Sequence, residues 1–312
     1  MTDQRTDVDG MSEAPIEPVT TSPPPSRRSR RSPLAMTMAR ALRLGRTKVG
    51  LALVTVLVAV AAFGPLLAPE STTAFVGPPY QPPGEGAVMG TDFLGRDTLS
   101  RFLAGGRSVL ILSLLATVLG LIAGVAIGLI AAYSKGSMDD VIMRSMDIVL
   151  AFPQIVFVLL LVSTIGPKLW LLVLTVAATH APRVARLARG AALEVVERDF
   201  VKAAEVLGEP RWRILLSEIL PNITSPLMVE ASLRLTYSIG LVAAISFLGF
   251  GLQPPAADWG LMINENRVGL TVQPWSVALP TLAIALLTIG TNLIADGLAR
   301  ALIGVDRGTA EA

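Results

Sequence analysis

The stretch LWLLVLTVAATHAPRVARLAR, Leu169–Arg189, decides the fold, because it begins as an apolar run and ends as a basic one. Between Lys168 and Arg183 lie 14 uncharged residues, fewer than the roughly 20 that cross a hydrocarbon core about 30 Å thick. A run of this length fits a buried or re-entrant segment as well as a true span. Its neighbours are clearer: charge-free stretches of spanning length occupy Val49–Ala68, Val109–Ala132, Ile148–Ile165, Leu235–Leu252 and Val277–Ala295. If 169–182 also crosses, the basic run Arg183, Arg186, Arg189, Arg198, Lys202, Arg211 and Arg213 falls on the same side as the basic leader Arg27–Lys48, as positive-inside bias requires. Without that crossing the run faces outward. The terminal arginines can also snorkel and lengthen the span. The expectation is an all-α, polytopic membrane helix bundle of six transmembrane helices with both termini cytoplasmic.

Composition supports the bilayer as solvent: 52% of the 312 residues are apolar and 16% charged, too few charges to cover a soluble domain. A net charge of +2 calls for no nucleic-acid partner. Cysteine is absent and histidine occurs once, at His180, so thiol chemistry and a His-rich metal site are set aside. His180, beside Ala181 and Pro182, reads as a packing or hydrogen-bonding residue. Catalytic and metal residues are expected to be none.

Residues 1–35 form a Ser-, Pro- and Arg-rich stretch without hydrophobic period, expected as a disordered cytosolic tail. Ala59-Val60-Ala61 resembles a signal-peptidase site, but the apolar run continues to Ala68 and favours a retained span. Residues 36–106 then carry the first span and an external loop, residues 107–306 a core of five spans, and 307–312 a tail. Turn punctuation over Pro69–Gly106 predicts a loop without long helices. Asp258–Gln273 fits a short amphipathic helix at the outer surface.

Glu194–Pro221 carries the most information. Val196, Phe200, Ala203/Ala204 and Leu207 make one helical stripe, and Gly208 stops it. Pro210 suits the start of a second helix, with Trp212, Leu215, Leu216 and Ile219 on one face and Pro221 as its end. Charges on the other faces keep this pair out of lipid. The two readings are an interfacial hairpin packed on its own bundle and a lever that docks into another protein.

Ala203-Ala204, three residues, Gly208, then a block ending Leu220-Pro221 resembles the EAA loop of bacterial ABC importer permeases, with departures at Lys202 and Glu218. Three further blocks resemble the dipeptide/oligopeptide/nickel (DppC/OppC-like) subfamily. They are Gly90–Arg101, Ser246–Pro255 with Asp258-Trp259-Gly260, and Asn292–Leu298. The resemblance implies a type I ABC importer transmembrane domain. It implies a DppB/OppB-like sister permease, two cytosolic ATPases that bind ATP and Mg, and an extracytoplasmic substrate-binding protein, with membrane lipid around the subunit. Ala203, Ala204, Gly208, Leu220 and Pro221 become the ATPase-coupling loop.

Other residues have physical readings of their own. Thr91 or Asp92 can cap a short helix, and Arg96 and Asp97 can pair with each other or with a visiting protein. Gly249, Gly251 and Pro254 unwind the fifth span near its outer end, beside Asp258 and Trp259, and so are candidates to border the pathway. Asp296 reads as an interfacial cap, and Arg144 and Asp147 as interfacial anchors. No G-x-x-x-x-G-K-[ST] occurs, so no phosphate-cradling loop for ATP is expected in this chain. The span interiors read as free of charge, which disfavours an ion-gradient transporter. A peptide cargo is expected, with nickel or glutathione as alternatives.

Overall fold

A computed structural model describes residues 38–84, 86–134 and 136–310, with side chains to Leu302. The whole of the expected tail 1–35 and residues 311–312 lie outside these residues; the helical backbone runs through Ala310, across the boundary expected at 306. The described chain is almost wholly helical: α1 (Gly45–Leu67), α2 (Thr98–Tyr133), α3 (Ser137–Ala151), α4 (Gln154–Ile165), α5 (Leu169–Val196), α6 (Asp199–Val206), α7 (Arg211–Phe247), α8 (Trp259–Asn266) and α9 (Trp275–Ala310). Five of these, α1, α2, α5, α7 and α9, are long and apolar enough to cross a membrane.

The sixth crossing is broken. The expected continuous span Ile148–Ile165 is corrected to two helices, α3 and α4, that meet at 81°. Pro153 has no amide hydrogen and holds Phe152 extended (φ −85°, ψ 133°), so the helix cannot pass through it. None of the α3 residues is buried, and α4 with 12 residues is only about 18 Å long. Packing nevertheless requires the pair to cross. Gly120, Gly124 and Gly128 of α2 face Ala177 and His180, Ala181 and Val184, and Ala185 and Ala188 of α5 in that order, so α2 and α5 run parallel. Between Tyr133 and Leu169 the chain must therefore return the length of the bundle, and α3–α4 is the only chain available to do it.

The stretch that hydropathy rates weakest is the best enclosed. In α5, 72% of the spanning window is buried, against 22–33% in the other four. A helix wrapped by protein needs little lipid-compatible surface, so its low hydropathy follows from its central position. Glycine makes this possible: a Cβ on Gly124 falls 2.5 Å from Val184 Cβ and 2.7 Å from Ala181 O. We expect Gly124→Leu to separate α2 from α5 and destabilise the bundle by about 1–3 kcal/mol or more. Lower yield and thermal stability of detergent-purified protein, with Gly190→Leu unaffected because open space surrounds that site, is the check.

Two further boundaries are corrected. The second span starts at Thr98, capped by Asp97, whose carboxylate accepts from Ser100 N at 2.8 Å and Ser100 Oγ at 2.6 Å; the boundary at 106/107 thus falls inside a helix. Pro221 does not end a lever helix. A π-helical turn, Ile214–Ile219, precedes it, and the helix continues to Phe247. The wide turn, with Leu220 N–H bonding Leu215 O, makes room for a ring that would strain an ordinary α-turn. Pro65 in α1 shows another solution: Arg107 Nε donates at 3.0 Å to Ala61 O, the carbonyl that a residue-65 amide would otherwise bond.

Helices α1 and α9 run antiparallel, with Gly50 against Gly290 and Thr47 against Gly297. Arg46 and Asp296 close this seam at 3.8 Å, on the same face as α6 given six crossings.

Candidate functional site

The segment α6 to the start of α7 forms the lever. Gly208 (φ +77°) closes α6 in a Schellman motif: Glu209 N–H bonds Ala204 O at 3.1 Å and Gly208 N–H bonds Glu205 O at 3.0 Å. Val201, Ile214 and Ile219 are buried against Leu129, Ala188 and Ala192, mounting the lever on the bundle. Tyr133 at the end of α2 donates to Glu205 Oε1 at 2.7 Å, and Arg211 lies 5.9 Å from the Tyr133 ring centre. On the free side Val206, Leu207 and Trp212 are 88%, 81% and 65% exposed. The helical stripe read from sequence placed Leu207 and Trp212 on the presented ridge but missed Val206, and it missed Val201 as the anchor. A period of i, i+3 from Val201 to Ala204 was the available signal. Ala203, Ala204 and Leu207 line a groove of about 400 Å³ between the two lever helices; Leu220 and Pro221 lie past the π-turn, on the bundle side of the lever.

A buried hydrogen-bond chain ties four crossings at mid-depth. Thr117 of α2 donates to Ser238 of α7 at 2.9 Å, and His180 Nε2 of α5 meets the same hydroxyl at 2.8 Å. Gln154, first residue of α4, donates to Thr179 at 2.7 Å and lies 3.4 Å from His180 Nδ1. His180 thus serves as a hydrogen-bonding hub. The charge-free interior is corrected at one place: α7 begins well before Leu235, and Arg234 is buried in it, with Nε 2.8 Å from Glu230 Oε1 and its guanidinium 4.8 Å from the Tyr237 ring centre. Below this layer α3 is held to α5 by Asp147–Arg186 and by Asp139–Arg189, the latter at 2.6 Å through Nε.

The opposite end is a cap locked by buried ions. Asp92 accepts from Leu94 N and Arg96 N at 2.9 Å and from Arg96 Nε at 2.7 Å. Glu265 of α8 sits 2.7 Å from Arg101 Nη2 and 3.4 Å from Arg96 Nη2. Arg96 therefore pairs with Asp92 and Glu265 rather than with Asp97, which is engaged as the α2 cap. Burial lifts the Glu265 carboxyl above its usual range, and Arg101 and Arg96 pull it back. Asp258 caps α8 through Leu261 N at 3.0 Å and accepts from Ser108; burial outweighs these bonds and raises its carboxyl too.

Trp259 is fully buried, stacks on Phe102 at 5.7 Å and donates to Phe102 O at 2.9 Å, over Gly105 and Gly106. The expected surface helix is corrected accordingly, since Trp259, Leu261 and Met262 point inward. The helix before it ends at Phe247, with Gly249 at φ +86° and Gln253 bonding back to the Gly249 and Gly251 carbonyls, ahead of Pro254. Sequence reading singled out Asp92, Arg96, Asp97, Asp258 and Trp259 but not Glu265 or Arg101, whose pairing spans loop, α2 and α8. Among the described residues no group of three or more His, Asp or Glu side chains is disposed to hold a metal.

The model of a family described as the binding-protein-dependent transport system inner membrane component matches residues 124–304, from mid-α2 through the lever into α9. The chain belongs to this family. It is 37% identical over 260 residues to the di/tripeptide transport system permease protein DppC of Pseudomonas aeruginosa, covering 81% of this chain and 86% of that one. The dipeptide transport system permease protein DppC of Alkalihalophilus pseudofirmus is likewise 37% identical, with 81% and 84% covered. The glutathione transport system permease protein GsiD of Pectobacterium atrosepticum is 38% identical, over 70% and 73%. This binding-protein-dependent permease is accordingly a multi-pass component of the inner membrane, whose family works with ATPase and substrate-binding partners.

Proposed function

We propose that this permease moves di- and oligopeptides inward, as one half of a translocation channel completed by a DppB/OppB-like sister subunit. Two cytosolic ATPases bind ATP and Mg and engage the lever; an extracytoplasmic protein delivers the cargo. The chain itself makes and breaks no bonds. The lever face is cytosolic, since Arg183, Arg186, Arg189 and the lever's own basic residues gather there, and both chain ends share that side.

One observation carries the coupling role. Val206, Leu207 and Trp212 are apolar and largely exposed on the lever, whose mount is itself packed and hydrogen-bonded. Exposed apolar surface on a rigid support marks a protein contact. The names of the relatives support peptides as cargo. Arg234 and Glu230 do not revive an ion-gradient mechanism, because they neutralise each other on one helix and extend into no chain of carboxylates.

Leu207→Asp tests this directly. It places a charge on the ridge without touching the buried mount, so the variant inserts and accumulates normally while ATPase co-purification and labelled-peptide uptake are lost. Retention of both ATPase subunits at wild-type stoichiometry refutes the ridge as the docking surface.

A further inference from the structure

Between α1, α2, α7 and α9 runs an apolar groove of about 560 Å³. Ile239 and Leu287, buried, form its floor, while Val58, Ile111 and Leu114, all exposed, stand at its mouth. The mouth faces the bilayer, since only 22% of the spanning window of α1 is buried. At the inner end Thr291 joins Val54, but its hydroxyl is spent: it donates to Leu287 O and accepts from Thr236, both at 3.0 Å. The outer end differs, because Arg107 of α2 leans over the last turns of α1. Its Nε and Nη2 donate to the carbonyls of Ala61 at 3.0 Å and Ala62 at 2.6 Å. Its Nη1 has no partner, and the exposed guanidinium forms no ion pair among the described residues. From Val54 to Ala62 the helix rises about 12 Å, close to one leaflet of a hydrocarbon core about 30 Å thick. As α1 begins on the lever side, the groove lies in the opposite leaflet, with Arg107 at its headgroup end.

We propose that this groove holds an acyl chain of a phospholipid from the leaflet opposite the lever, with the lipid phosphate on Arg107. The lining decides the occupant. Lipid tails are as apolar as leucine, so a chain gains nothing hydrophobic here over the bulk bilayer. An empty groove, however, forfeits dispersion contacts along its floor, and the cation selects the molecule that fills it. A phosphodiester accepts from the Nη1 hydrogens that the α1 carbonyls leave unused. An apolar helix of another protein brings no such anion, and leaves the guanidinium unpaired at the edge of the membrane. The bound lipid braces α1 against α2 at the turn where Pro65 has removed an amide, beside the bond from Arg107 to Ala61 O.

The test places the assembled transporter in phosphatidylcholine vesicles doped with phosphatidylglycerol carrying a diazirine in one tail, or with diacylglycerol carrying the same tail. After illumination, crosslinks per recovered subunit are mapped to 54–58 and 110–114. Phosphatidylglycerol marks these segments about fivefold more than diacylglycerol, and Arg107→Gln brings that ratio to about one. Ile111→Trp, at an exposed wall of the mouth and with Arg107 intact, lowers labelling by both probes. It serves as the second arm, because Arg107→Gln also gives up the bonds to α1. A ratio unchanged in Arg107→Gln overturns the phosphate contact, and labelling unchanged in Ile111→Trp overturns the groove as the site. Label on another subunit of the complex, with both segments unmarked, shows a partner chain in the groove and overturns lipid occupancy.

Discussion

Gly208→Pro abolishes peptide uptake and its coupling to ATP hydrolysis while the subunit still inserts. The residue sits at φ +77°, and proline is confined near −65°, so the Schellman closure of α6 cannot form. The bond from Gly208 N–H to Glu205 O disappears outright, and the one from Glu209 N–H to Ala204 O loses its geometry. Together these cost the local turn about 3 kcal/mol or more. The cost is confined to the lever, since nothing lies within 4 Å of a Cβ at Gly208. The reach from Val206–Leu207 to Trp212 changes, and a ridge that must fit a partner surface is then presented at the wrong angle. Gly208→Ala separates strain from shape: a side chain fits the space, so it keeps partial uptake. The checks are membrane abundance by blotting, co-purified ATPase, and uptake. Normal ATPase stimulation in Gly208→Pro refutes the lever.

Glu265→Ala brings the largest loss of stability. It leaves Arg101, fully buried, and Arg96 with Asp92 as their sole acid. Removing one member of a buried ionic network costs about 3–5 kcal/mol, because the remaining charge is neither hydrated nor paired. Arg101 already has Nε and Nη1 without hydrogen bonds, so Glu265 supplies its one good contact. The double variant Arg101→Met with Glu265→Met removes both charges, keeps the Asp92–Arg96 pair and recovers most of the loss. Thermal unfolding of the detergent-purified complex measures both. A double variant as unstable as the single one shows that Glu265 acts by packing alone.

These two predictions fall on features of opposite legibility. Gly208 was readable because a helix stop between two amphipathic stripes has a local cause, and its φ is a property of the residue itself. The network around Glu265 was not, since Asp92, Arg96 and Arg101 share one recognisable block while Glu265 comes from a distant segment, and nothing local announces that they pair. The exposed ridge was half readable: a stripe names the apolar face of a helix but not which of two apolar faces the bundle takes, and Val201 took the inner one. Charge-free windows likewise hid the break at Pro153, because hydropathy averages over a residue whose effect is stereochemical.

Apolar runs, basic flanks and turn residues by themselves determined an all-helical membrane bundle of six crossings with a lever after the fourth, since burial in lipid and backbone stereochemistry act through neighbouring residues. Only the tertiary structure decided that Leu169–Val196 is the most enclosed helix and α3–α4 the broken one. It also decided that α7 runs unbroken from the lever to the far face, and that Arg234 lies buried with a donor unspent. Each of these depends on which helix surfaces meet, through glycine-spaced contacts between α2 and α5 and pairings across the bundle, and a local pattern carries no record of its distant partner.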